Sequence, residues 1–209
     1  MTLPGKDRPM VLIVSGPSGS GKSTLVEKLL ELPDTMLSVS CTTRPPRKTE
    51  SNGKWYNFVT EPEFEKMIER GEFLEYAQVF GKHWNGTPKR SIEEAGSTGK
   101  DLVLEIDVQG AAQVKMKLPG AAAILILPPS REDLEKRIRA RGQDSNEEIE
   151  RRLQRARQEL ELYQGYDYFV VNDYLARAGR DVQAIAIGAR CQVNRNHVRV
   201  QEILKSFGG

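Results

Sequence analysis

Gly16-Pro17-Ser18-Gly19-Ser20-Gly21-Lys22-Ser23 decides how the chain is read. It fits the pattern G-x-x-x-x-G-K-[ST] without a gap. Before it, Met10–Val14 is an apolar run of strand length. After it, Thr24–Leu32 carries Leu25, Val26, Leu29 and Leu30 at helical spacing and stops before Pro33. A strand, a glycine loop and a helix in that order make a phosphate cradle. Gly19 and Gly21 permit backbone conformations that aim N–H groups inward. The helix adds positive potential at its N-terminus. Lys22 offers a point charge to the β- and γ-phosphates, and Ser23 a hydroxyl to Mg²⁺. The ATP site is therefore expected on Gly16, Pro17, Ser18, Gly19, Ser20, Gly21, Lys22, Ser23 and Thr24. The loop alone does not separate ATP from GTP.

Outward from the loop, strand and helix patterns alternate. Met36–Cys41 reads as a second strand. A polar, basic stretch follows, with Asn52-Gly53 as a turn signal. Tyr56–Val59 reads as a strand, Glu61–Arg70 as a helix stopped by Gly71, and Phe73–Phe80 as a strand. Gly81–Gly86 reads as a loop and Pro88–Ala95 as a helix. Then come a strand at Asp101–Ile106, a helix at Val108–Leu118 and a strand at Ala121–Leu127. Helices at Ser130–Arg141 and Ser145–Gln164 open on capping serines, with Asp133 and Glu148 three residues on. Tyr168–Val171 is the last strand, and the remainder is mostly helical. This is an α/β pattern: a P-loop NTPase-type parallel sheet flanked by helices. One domain is expected, with a core at about 8–38, 91–128 and 156–209, an insertion at about 39–90 and an arginine-rich lid at about 129–155.

Composition narrows the function. The chain has 209 residues, and its 38% hydrophobic content plus 18 glycines approaches the ~45–50% apolar share of a globular domain. The net charge is only +2, from 31 basic and 29 acidic side chains. A nucleic-acid-coating role is therefore disfavoured. Cys41 and Cys191 lie far apart, and His83 and His197 are the only histidines, so neither a disulfide scaffold nor a protein-only zinc site is expected. No apolar run approaches the ~20 residues needed to span a bilayer, and the N-terminus lacks a signal-peptide pattern. The expected location is cytoplasmic.

Three further groups carry chemistry. Arg44 and Arg47 flank Pro45-Pro46, two guanidiniums on a stiffened segment suited to a phosphate dianion. Tyr56 either adds a phenolic donor or packs in a strand. Glu105 and Asp107 close a predicted strand at its carboxyl end, where ligands gather in open α/β sheets. Both suit Mg²⁺ or an acceptor nucleotide, while Asp107 equally suits a helix cap. Arg131–Arg157 holds eight arginines, some of which fit a solvated helix with pairs such as Glu135–Arg139.

Taken together, several stretches resemble the guanylate kinase family. They are Ser38-Val39-Ser40-Cys41-Thr42-Thr43-Arg44-Pro45-Pro46-Arg47, Asn52-Gly53-Lys54-Trp55-Tyr56-Asn57-Phe58 and Phe73-Leu74-Glu75-Tyr76-Ala77. Glu105-Ile106-Asp107-Val108-Gln109-Gly110, Pro128-Pro129-Ser130 and Val171-Asn172-Asp173 continue the series, so the likeness runs over most of the chain. It implies phosphoryl transfer from ATP to GMP with Mg²⁺, dGMP being a second candidate acceptor. It makes the insertion a GMP-binding subdomain. It implies that Arg44, Arg47 and Tyr56 hold the GMP phosphate, that Glu75 accepts from guanine N1–H and the exocyclic amine, and that Ser40 and Thr87 meet the rest of the base edge. Glu105 and Asp107 join the GMP set, Asp107 reaching Mg²⁺ through water beside Ser23. Arg137, Arg141 and Arg152 are implied to close over the ATP phosphates and, with Lys22 and Arg44, to carry catalysis; Asn172 is placed near the adenine. One loop departs from the family pattern. Gly81-Lys82-His83-Trp84-Asn85-Gly86-Thr87 is one residue longer and lacks the tyrosine before Gly-Thr, leaving Trp84 to fill that space or His83 and Trp84 to form a hairpin tip.

Two readings compete. A catalytically dead guanylate-kinase-like domain that binds phosphorylated peptides would not need Lys22 and Ser23. A kinase of phosphorylated sugars would not need Glu75 together with Ser40. Oligomeric state is not legible.

Overall fold

The computed structural model describes residues 9–47, 50–79, 82–140, 142, 144–193 and 195–208. Among them, five parallel strands build the core: β1 (Val11–Ser15), β2 (Thr35–Leu37), β7 (Asp101–Glu105), β8 (Ala122–Leu127) and β9 (Tyr168–Val171), in the order β2-β7-β1-β8-β9. Period-two alternation divides β1 between two hydrophobic layers. Leu12 and Val14 face one layer with Leu25, Val26 and Leu29 of helix α1 (Lys22–Leu30) and Val182 and Ala186 of α7 (Leu175–Arg190). Val11 and Ile13 face the other, with Ala95 of α3 (Arg90–Thr98) and Ala111 and Val114 of α4 (Val108–Lys117). Both faces are covered, which is why these strands read as continuous apolar runs.

The insertion forms a second sheet, β4-β3-β6-β5, from β3 (Ser40–Thr42), β4 (Tyr56–Phe58), β5 (Phe73–Val79) and β6 (His83–Pro88). Helix α2 (Glu61–Glu69) opens on a Thr60–Glu63 capping box and packs Phe64 against Phe73, ring centroids 4.4 Å apart. That face is apolar; the opposite face is polar and turns toward the core.

Two expectations about this region are corrected. The single strand expected at Met36–Cys41 divides into β2 and β3, which belong to different sheets. At the junction, the Ser38 amide donates to the Val103 carbonyl at 2.9 Å and the Ser38 and Ser91 hydroxyls lie 2.9 Å apart. Only two residues separate the strands, too few for side-chain alternation to signal that the pairing partner has changed. The loop expected at Gly81–Gly86 is largely strand β6, and Pro88 ends that strand rather than opening a helix. Its His, Asn and Thr residues disguise it, because one face of this strand meets a cleft instead of a core.

Helices α5 (Arg131–Arg139) and α6 (Asn146–Glu161) share a small core of their own, Leu134, Ile138, Ile149, Leu153 and Ala156. Ser130 caps α5, and a Ser145–Glu148 capping box opens α6. A last helix, α8 (His197–Ser206), carries no buried residue.

Candidate active site

A cleft of about 930 Å³ lies between the two sheets and the α5–α6 pair. At its floor, β1 enters the glycine loop. Gly16, Gly19 and Gly21 have φ of 140°, 97° and 92°, a region that excludes most L side chains. Helix α1 starts at Lys22 with no side-chain cap, so its first-turn amides are left to an anion. The Lys22 ammonium folds back onto its own loop, donating to the Gly16 carbonyl at 2.6 Å and the Pro17 carbonyl at 3.1 Å. The Ser23 hydroxyl donates to Glu105 at 2.7 Å.

The loop is braced from behind. Asn172 is buried, and its Nδ2 donates to the Ser20 carbonyl at 2.8 Å. Arg137 donates to the Ser20 carbonyl at 3.3 Å and to the Asn172 carbonyl at 2.6 Å. A Cβ at position 21 would run into Asn172 Nδ2. Gly21→Ala is therefore expected to cost about 3 kcal/mol, from left-handed strain and a displaced buried amide. That corresponds to a Tm lower by roughly 6–12 °C in a calorimetric scan; an unchanged Tm would contradict the bracing.

Across the cleft, the insertion presents its polar face. Glu75 is 4% exposed and accepts from the Thr87 hydroxyl at 2.6 Å. Gly110 lies where a Cβ would strike Glu75, so the first turn of α4 comes close to this carboxyl. Burial pushes Glu75 up to about 7, with the Thr87 bond acting against the rise and Asp107 adding to it. Arg44 makes a two-pronged bond to Glu50 at 2.7 and 2.9 Å and lies 5.3 Å from the centroid of the Tyr56 ring. The Arg44 contact holds the Glu50 carboxyl below the usual range. Burial pushes the Tyr56 phenol up to about 12, so it remains a donor.

The structure brings together most of the residues singled out by sequence. Gly16, Ser18, Gly19, Gly21, Lys22, Ser23, Thr24, Ser40, Arg44, Arg47, Tyr56, Glu75, Glu105, Asp107 and Arg152 all line the cleft. Asp107 caps α4, Oδ1 accepting from the Gly110 amide at 2.9 Å, and its Oδ2 is buried with no hydrogen-bond partner. Arg152 binds Ser18 and Asp144. Thr87 lies beneath Glu75 rather than at the surface. Pro17, Ser20, Thr87, Arg137 and Asn172 do not line the cleft, and Arg137 and Asn172 both donate to the Ser20 carbonyl of the loop. Arg141 lies outside the described residues. Trp84 packs on the apolar face, 6.0 Å from the Phe64 ring, while His83 and Asn85 turn to the cleft.

Sequence reasoning missed Glu50, Asp144, Arg155 and Glu159, all of which line the cleft. Arg155 donates to Glu159 at 2.9 Å, and burial raises the Glu159 carboxyl. Their four-residue spacing on α6 signalled an ion pair, but not the face that carries it.

A parallel sheet that feeds a phosphate loop, opposite a pocket with paired arginines and a buried carboxylate, defines a P-loop kinase of the nucleoside monophosphate class. The family model described as guanylate kinase matches residues 6–187. The guanylate kinase of Escherichia coli (strain K12) is 47% identical over 198 residues, covering 93% of this chain and 95% of that protein. That of Caldanaerobacter subterraneus subsp. tengcongensis is 46% identical over 192 residues, covering 91% and 93%. The crystal structure of guanylate kinase from Anaplasma phagocytophilum matches with a TM-score of 0.77 at 32% identity, covering 91% of this chain and 90% of that one. The chain belongs to the guanylate kinase family.

Proposed function

We propose that the cleft transfers the γ-phosphoryl group of ATP to GMP, giving ADP and GDP. Membership of the family supports this activity, and one observation carries its placement. The phosphate loop shares one cleft with Arg44, Arg47, Tyr56 and Glu75, the last accepting from the buried Thr87 hydroxyl. An ionised Glu75 accepts from the two adjacent donors of guanine; adenine offers a lone pair there and leaves the carboxylate unpaired. Ser40 and Thr87 complete the base pocket. Arg44, held ready by Glu50, joins Arg47 and the Tyr56 phenol on the acceptor phosphate.

In the transfer, an oxygen of the GMP phosphate attacks the γ-phosphorus in line, and the bond to the β–γ bridging oxygen breaks with ADP leaving. No protein nucleophile takes part; positioning and charge neutralisation do the chemistry. Lys22 and the loop amides hold the β- and γ-phosphates. Arg152 exchanges Ser18 and Asp144 for phosphate oxygens, and Arg141 joins it from the lid. Arg137 and Asn172 act through the loop they brace. The segment at about 129–155 serves as the lid and 39–90 as the acceptor subdomain. A closed lid keeps water from competing for the phosphoryl group.

The oxygen donors Ser23, Glu105 and Asp107 fit Mg²⁺, and the orphaned, buried Asp107 Oδ2 favours a cation nearby. Among the described residues, no three His, Cys, Asp or Glu side chains form a metal cage, in keeping with an ion carried in on phosphate oxygens. When bound, it neutralises charge on the β- and γ-phosphates. No helix of the described residues is long and apolar enough to cross a membrane, and we assign the enzyme to the cytoplasm.

The reading is tested by chromatography of a mixture of ATP, GMP and Mg²⁺. ADP and GDP should appear in equal amounts, and chelation of the metal should stop both. ADP without GDP would contradict it.

A further inference from the structure

Strand β6 sends three polar side chains to the cleft side at alternate positions: His83, Asn85 and Thr87. Thr87 is paired with Glu75 in the base pocket. Asn85 lies two residues along the same face, about 7 Å away at the usual strand rise, and so beyond the reach of the base edge. Its neighbour on β5 is Ala77, whose short side chain leaves space beside the amide. Its neighbour on β3 is Thr42.

The Thr42 hydroxyl fixes what Asn85 presents. It accepts from the Arg44 amide at 3.2 Å and donates its one proton to Asn85 Oδ1 at 2.6 Å. The amide oxygen is thereby engaged, and Nδ2 with its two hydrogens becomes the end available to the cleft. The link also ties Asn85 to the loop that carries Arg44. The Thr43 amide donates to the Trp84 carbonyl at 3.0 Å, and the Trp84 amide donates to the Thr43 hydroxyl at 2.9 Å. The loop and the strand are thus fastened together at adjacent positions. A fixed amide donor in the cleft that Arg44 and Arg47 also line suits an anion, and has no counterpart on a purine edge already served by Glu75, Thr87 and Ser40.

Resting on the GMP reading above, we propose that Asn85 binds the phosphate of the acceptor nucleotide through Nδ2, with Thr42 as the residue that orients it.

The test is Asn85→Asp, which keeps an acceptor for Thr42 and places a carboxylate oxygen where the donor was. KM for GMP is measured beside the inhibition constant of guanosine, which carries the base and ribose without phosphate. KM for GMP should rise about thirty-fold, a charge-assisted hydrogen bond being worth roughly ten- to a hundred-fold. Guanosine inhibition should change less than two-fold. An unchanged KM for GMP, or an equal loss for guanosine, would overturn the proposal. Thr42→Val gives a second test should Asn85→Asp fail to fold. Releasing the amide should raise KM for GMP about three-fold and leave guanosine unaffected, and no change would overturn the orienting role. A wild-type protein that takes neither GMP nor guanosine would remove the acceptor reading itself, whereas normal wild-type binding with an indifferent Asn85→Asp removes the Asn85 assignment alone.

Discussion

Lys22→Ala is expected to lower kcat by about a thousandfold, the scale set by removing a preorganised charge or donor from a transferring phosphoryl group. The structure explains why the loss falls on turnover rather than on folding. Lys22 sits at the first position of α1, and its ammonium is satisfied by the Gly16 and Pro17 carbonyls of the same loop. The brace behind the loop is supplied by Arg137 and Asn172, which the substitution leaves in place. The folded state should therefore persist, with a Tm within a few degrees of the wild type. Once ATP enters, the lysine can leave its two carbonyls for the β- and γ-phosphates, and the positive charge then meets charge that develops as the bond to ADP breaks. A coupled assay of ADP release at saturating ATP and GMP checks this. Turnover within a few-fold of wild type would remove Lys22 from the chemistry.

Glu75→Gln is expected to lower kcat/KM for GMP by about a thousandfold, with KM for ATP changed less than two-fold. The glutamine amide presents a donor where guanine also presents donors, so at least one polar group is buried without a partner. ATP held at the phosphate loop is not expected to use this residue. The carboxyl also carries a pH signature. Burial raises Glu75 to about 7, so the unliganded enzyme holds a proton there below that pH. Guanine favours the ionised form. KM for GMP should accordingly rise as pH falls below about 7, approaching tenfold per unit. The acceptor phosphate's own second ionisation, near about 6, contributes equally in wild type and variant. The difference between the two profiles isolates Glu75. Parallel pH profiles, or equal losses toward GMP and ATP, would place base recognition elsewhere.

The phosphate cradle was legible because its chemistry is contiguous. Eight residues carry the turn, the helix start, the lysine and the hydroxyl, and no distant contact is needed to recognise them. The core strands were legible because burial on both faces leaves unbroken apolar runs. Strand β6 was not, since it faces the cleft through His83 and Asn85, buries Thr87 against Glu75, and carries the polar composition of a loop. The junction of β2 and β3 was also hidden, because the two strands are only two residues apart in the chain yet pair in different sheets. Arg137 and Asn172 stood out in the sequence, but their bonds to the Ser20 carbonyl did not, because only the three-dimensional packing decides which backbone group a side chain reaches. Glu50 went unnoticed for a related reason. Its bond to Arg44 joins residues six apart, and no periodic spacing announces a contact of that kind.

The measurement that bears most directly on function is ADP release with ATP and Mg²⁺, comparing GMP, AMP, CMP, UMP and dTMP as acceptors at equal concentration. A base pocket built on Glu75, Thr87 and Ser40 predicts rapid transfer to GMP, with the other four at least a thousandfold slower in kcat/KM. Comparable rates with AMP, or no transfer to any nucleotide, would contradict a guanine-selective acceptor site facing the phosphate loop.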